Sequence, residues 1–308
     1  MTPFRVVLTT ALACLAFAAH AGIETGPGSG YHAAVLEEDI KQFTNAIVNY
    51  AVEYRGTPLT TTQVNRLRRT ASSATVARME YTWNASDTRD AGRLTIHSRS
   101  GKPLETLVAT VPSGTSGSDS DGSFQWNSDQ IDREAGEARF YPHMEGHIRA
   151  TAHLDNNSVL RETDPKNAGD AELKALQTLE ANIKAGTVPR GGTLKGTVSK
   201  AICRSCEANL ALFSKEYDVH GKVFYLANEN EAVAAREAAT TAEEKQLIED
   251  SVRSNREVFT RRNRYLDQVM PKQLGEWRRI GDASWIDRRS LAALAEAEAG
   301  SLTARECP

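Results

Sequence analysis

Between Ala34 and Arg55 apolar residues recur at three- and four-residue steps: Val35, Leu36, Ile40, Phe43, Ile47, Tyr50, Ala51 and Tyr54, with charges between them. That spacing predicts an amphipathic helix, stopped by Gly56 and Pro58. A short helix is expected through TTQVNRLRRTA. The period then changes to two. In ATVARMEYTW, Val76, Arg78 and Glu80 alternate with Ala77, Met79 and Tyr81. In GRLTIHSRSG, Leu94 and Ile96 alternate with Arg93, Thr95 and His97. Both stretches predict half-buried strands. The Gly-rich GIETGPGSGYH at 22–32 reads as a flexible leader and SGTSGSDSDGS at 113–123 as a mobile loop.

Further along, HMEGHIRATAHL predicts a helix over His143–Leu154, broken by DNNSVLRETDPKNAGD. Asp170 caps the next helix, which carries Leu173, Leu176, Leu179 and Ile183 on one face and stops at Gly186. A strand is expected near Thr193–Ser199. Cys203 then opens a helix with Ala208, Leu210, Leu212 and Phe213 as its apolar face, and GKVFYLA predicts a buried strand. After Ala227 the chain turns rich in Ala, Glu and Arg and reads as helix to Pro271, with one more helix over Ser290–Ala299. Strands alternating with helices argue a layered α/β domain. The expected division is 1–21 leader peptide, 22–69 helical lead-in, 70–227 α/β domain and 228–308 mainly helical extension.

The first 21 residues stand apart. MTPFRVVLTTALACLAFAAHA has Arg5, an apolar run from Val6 to Ala19, and small residues at 19 and 21. That is the layout of a secretory signal peptide cleaved after Ala21. The run is too short for a comfortable membrane span. The expectation is an exported protein, periplasmic or secreted, with no stable membrane association. Hydrophobic residues make up 40% of the 308-residue chain and charged ones 25%, a globular balance. A formal net charge of −3 gives no bulk attraction to nucleic acid, so such binding needs a local patch. Residues 253–289 hold nine arginines among Tyr265, Trp277 and Trp285. That mixture suits single-stranded nucleic acid. The interspersed acids favour a solvated helix with ion pairs.

Without Cys14 of the leader, the cysteines are Cys203, Cys206 and Cys307. Cys307 stands beside the C-terminus and has no assigned part. In an oxidising compartment the first two could pair as a disulfide or redox couple. Alternatively, Cys-x-x-Cys at a helix start brings two thiolates to one point, where the helix dipole favours anions, and this suits zinc. His143 would supply a third ligand and leave the fourth position for water, whose pKa zinc lowers toward ~7. Glu145, two residues on, would then stand near the metal and carry protons. His147, four residues from His143, could instead close a structural Cys₂His₂ site without catalysis. His97, His153 and His220 have no assigned role.

His-x-Glu followed by Cys-x-x-Cys is the signature of zinc-dependent nucleoside and nucleic-acid deaminases. HMEGH followed by CRSCEANLALFSKEYDVHGKVFYLA resembles the bacterial toxin branch of that cytidine-deaminase-like superfamily. In that branch His-x-Glu-Gly opens one helix, the Cys pair opens the next, and a strand follows. The resemblance covers roughly 70–227. It implies a three-layer α/β/α sandwich with helical extensions at both ends. It implies His143, Cys203 and Cys206 as zinc ligands and Glu145 as proton shuttle. The activity implied is hydrolysis of an amidine C–N bond, with loss of ammonia from a nucleobase, cytosine foremost, in nucleic acid or nucleotide. A toxin of this kind also implies an immunity protein as partner. The rival class is a non-catalytic exported binding module held by a structural zinc site or a Cys203–Cys206 disulfide.

Overall fold

A computed structural model describes residues 22–53, 59–109, 126–153, 157–160 and 169–270. The leader peptide expected at 1–21, the loop expected at 113–123, the helix expected at 290–299, Cys307, and the arginines and tryptophans beyond Met270 lie outside the described residues.

In chain order the elements are β1 (Ile23–Pro27), α1 (Gly30–Glu53), α2 (Thr61–Ser73), β2 (Val76–Trp83), β3 (Gly92–Arg99), α3 (Leu104–Val108) and α4 (Ser128–Gly136). There follow β4 (His147–Arg149), α5 (Ala171–Lys184), β5 (Thr193–Val198), α6 (Arg204–Tyr217), β6 (His220–Tyr225), α7 (Glu229–Ala238) and α8 (Ala242–Val269). The six strands form one mixed sheet in the order β1-β6-β5-β2-β3-β4. β1, β6 and β5 run parallel, β2 is antiparallel to both β5 and β3, and β4 runs parallel to β3.

Helices cover both sheet faces. Leu36, Ile40, Phe43 and Ile47 of α1 pack with Leu67 of α2, Val258 and Leu266 of α8 and Val76 of the sheet. On the opposite face Ala77, Met79 and Tyr81 pack against Leu173, Leu176 and Leu179 of α5 and Leu210 and Phe213 of α6. The alternation in β2 therefore divides two cores rather than a core from solvent, as a central strand between helical layers requires. Each fully buried Leu contributes about 1.5–3 kcal/mol. Where a layer needs defined helix starts, the sequence supplies capping boxes: Thr60 with Gln63, Asn228 with Glu231, and Thr241 with Glu244.

Three expectations change. The Gly-rich stretch after residue 22 is no free leader, because Ile23–Pro27 adds a parallel edge strand to β6. The apolar face of α6 is narrower than expected, since Leu212 is 49% exposed while Leu210 and Phe213 are buried. The helix over His143–Leu154 does not form. Residues 143–146 make a turn, with Gly146 at φ 70° and its carbonyl accepting from the Thr95 N–H at 2.8 Å, and His147–Arg149 continue as β4. A left-handed glycine suits that reversal and interrupts a helix. His147, Ile148 and Arg149 instead pair in register with Thr95, Ile96 and His97 of β3.

Register fixes what meets at one end of the sheet. Val76 pairs with Arg99, and its neighbour Ala77 pairs with Val198. The starts of α5 and α6 lie at this end: Gly101 N–H donates to the Gly169 carbonyl at 3.0 Å, and α6 begins at Arg204, shortly after β5 ends at Val198.

Candidate metal centre

Asp170 and Cys203 occupy equivalent places, each the residue before the first turn of its helix. Cys203 Sγ accepts from the Cys206 N–H at 3.4 Å, acting as an N-cap. Asp170 has the extended backbone of an N-cap but makes no side-chain cap bond. Its Oδ2 instead stands 3.7 Å from Cys203 Sγ and 3.7 Å from Cys206 Sγ. Among the described residues this is the one group of three or more His, Cys, Asp and Glu side chains whose ligand atoms all lie within 4.8 Å of one another. Both cysteines are free thiols, Cys203 exposed and Cys206 buried.

Glu172 enters from the first turn of α5 and is 4% exposed. Burial pushes its carboxyl up to about 7; its own backbone N–H opposes the rise and the Asp170 carboxylate adds to it. Burial also pushes the Cys206 thiol up, followed by the charges of Glu172, Cys203 and Asp170. Glu172 and Cys206 thus hold their protons more tightly, and the neighbouring anionic groups add to that. A divalent cation relieves that repulsion, and two helix N-termini assist it. One carboxylate oxygen and two thiolates suit zinc, and three protein ligands leave a fourth position open, as in catalytic sites. The donor set can hold a metal ion.

The two expected cysteines come together, but the expected histidine and glutamate do not join them. His143 and Glu145 are both exposed, in the turn before β4. Without the helix, nothing aims them at α6. His147 is engaged elsewhere, its Nδ1 standing 2.8 Å from His97 Nε2, so a Cys₂His₂ site is not assembled either. What the sequence reading passed over is Asp170-Ala171-Glu172. It has the one-residue spacing of His-x-Glu and opens the helix beside the Cys helix. Read only as a cap, Asp170 concealed the motif; a missing cap bond is visible only in three dimensions.

No protein-family model, curated protein or solved structure matches the chain. No helix among the described residues is long and apolar enough to cross a membrane.

Proposed function

We propose that the chain is a zinc-dependent hydrolytic deaminase of a nucleobase-bearing substrate, cytosine foremost, exported to act outside its own cytoplasm as a toxin. The observation that carries this reading is Asp170, Cys203 and Cys206 converging on one point with Glu172 buried at the same helix start. The order of the parts agrees with the resemblance. An acidic residue-x-Glu opens α5, Cys-x-x-Cys opens α6, and strand β6 follows. The pattern falls one helix later than His143 suggests. A purely structural zinc site asks for four protein ligands, and the described residues bring three.

Asp170, Cys203 and Cys206 would hold the zinc, which would supply an activated water at neutral pH. Glu172 would accept the proton of that water and pass it to the ring nitrogen beside the carbon under attack. It then delivers a proton to the exocyclic amine. A C–O bond forms, the C–N bond breaks, ammonia leaves and a carbonyl remains. Burial of Glu172 limits exchange of this proton with bulk water.

Zinc per chain and ammonia release from cytosine-containing oligonucleotides and nucleotides test the reading together. Glu172→Gln should keep about one zinc and lose about 10²–10⁴-fold in turnover, the usual worth of a positioned acid–base group. Glu145→Ala should leave turnover unchanged. Full activity in Glu172→Gln would refute the mechanism.

A further inference from the structure

The opposite face of the sheet carries a second set of chemical groups that shares no residue with the metal centre. Asp39 on α1 is 1% exposed and its Oδ1 is hydrogen-bonded to Nδ1 of His97, which is 2% exposed. His97 Nε2 lies 2.8 Å from Nδ1 of His147, and the two rings stack with centroids 5.0 Å apart and planes 18° from parallel. His147 is half-buried, so the chain runs from the interior toward the surface.

Protonation along the chain follows from donor–acceptor logic. A carboxylate only accepts, so His97 carries its proton on Nδ1. With His97 neutral its Nε2 is then an acceptor, and His147 donates from Nδ1. The one ring nitrogen the chain leaves with a lone pair is His147 Nε2. This is how a buried carboxylate selects the tautomer of a catalytic imidazole, here extended by one histidine. Burial, with the Arg78 and Arg93 guanidiniums nearby and the Asp39 carboxylate opposing, lowers the His147 pKa to about 4 and holds the ring neutral.

The strand register surrounds this base with cations. His97 pairs with Arg78 on one side and Arg149 on the other, and Thr95, two residues before it, pairs with His147. Period two places Arg93 on the same face. Arg78 is shared with Glu80 at 2.9 Å, whereas Arg149 donates to the neutral Gln42 Oε1 at 2.5 Å and lies 3.9 Å over the Tyr141 ring. At the interior end a small cavity lined by Asp39, His97, Arg99, Glu134, Glu137 and Arg149 adjoins the chain without reaching His147, and Asp39 Oδ2, buried, has no hydrogen-bond partner; the side open to a substrate is the half-buried His147 end. Three guanidiniums around a neutral imidazole suit an anionic substrate whose charge is spread over several oxygens, and guanidinium matches phosphate.

We propose that Asp39, His97 and His147 form a second, metal-independent site that hydrolyses a phosphate ester. His147 Nε2 takes the proton of the attacking water. The water oxygen bonds to phosphorus, the ester P–O bond breaks, and His147 returns the proton to the departing oxygen. Arg78, Arg93 and Arg149 offset the phosphoryl charge. His97 and Asp39 are positioning residues.

Bis(p-nitrophenyl) phosphate with the zinc-loaded full chain is the probe, and p-nitrophenolate release is the readout. The expected result is release that falls about 10²-fold or more in His147→Gln at an unchanged melting temperature. Asp39→Asn should lower kcat and spare KM, which a purely structural role would not do. If these variants unfold, long-range ¹H–¹⁵N NMR of the unaltered protein decides. His147 protonated at Nδ1 supports the proposal, and protonation at Nε2 overturns it. Release no faster than in buffer, or release that tracks zinc content and ignores His147, also overturns it.

Discussion

At the candidate metal centre Asp170, Glu172, Cys203 and Cys206 are all groups that become anions, and burial with neighbouring charge makes Glu172 and Cys206 harder to ionise. Across the sheet Asp39, His97 and His147 alternate acceptor and donor, so each fixes its neighbour's proton. The first arrangement can hold a cation. The second is complete in itself and needs only a substrate. Crowded like charge therefore marks a metal cradle, and an alternating hydrogen-bonded chain marks an acid–base device. The largest effect that separates them is metal dependence. Asp170→Ala or Cys206→Ser should take zinc from about one per chain to near zero and abolish ammonia release, since catalytic zinc needs its three protein ligands. Metal analysis and NMR of the same samples check this; a displaced His147 ring signal would mean the two faces are one site.

Both regions were unevenly legible in the sequence. The segments α1, α2, β2, β3, α5, β5, α6 and β6 were readable because each carries its own period and its own stop signal. β1 and β4 were not. Ile23–Pro27 and His147–Arg149 are short, and their partners, beginning at Gly221 and Thr95, lie far along the chain. A three-residue strand has no period to detect. The cysteine half of the metal centre was visible because Cys-x-x-Cys is a local spacing. The acidic half was hidden in Asp170, whose residue type serves equally as a helix cap. The misplaced helix at His143 has the same origin: His-x-Glu alternates, and alternation also suits the strand that begins at His147. The Asp39–His97–His147 chain joins three elements by tertiary contact alone, so no local pattern could have shown it.

A buried ion pair ties the two faces together. Lys174 of α5, four residues past Asp170, is fully buried and its Nζ meets Glu134 Oε1 at 2.5 Å. Glu134 Oε2 accepts from the Ala152 N–H at 2.9 Å, and the residue lines the cavity beside Asp39. Lys174→Met removes one charge and leaves the other buried, so chemical denaturation should report a loss of about 3–5 kcal/mol. The double variant Lys174→Met/Glu134→Leu should recover part of it. A single variant as stable as the parent would mean that Glu134 is not held as an anion there and that the faces are not joined by charge.

The smallest effect is a pH dependence that belongs to the α1 face. The folded chain holds His147 at about 4, chiefly by burial, against an ordinary 6.5. Its folded pKa is depressed, so below 6.5 the unfolded chain takes up a proton that the folded chain refuses. The contribution is fully present above 6.5. It is lost as pH falls from about 6.5 to about 4, and no further below that. Because the ring is half-buried, solvent screening cuts the full linkage value to on the order of 1 kcal/mol. Urea midpoints between pH 7 and pH 4 should fall in the unaltered protein by that much more than in His147→Gln, which has no ring to protonate. Identical acid limbs in the two proteins would show that His147 titrates normally in the folded state, and the cationic surroundings assigned to it would not be felt at the ring.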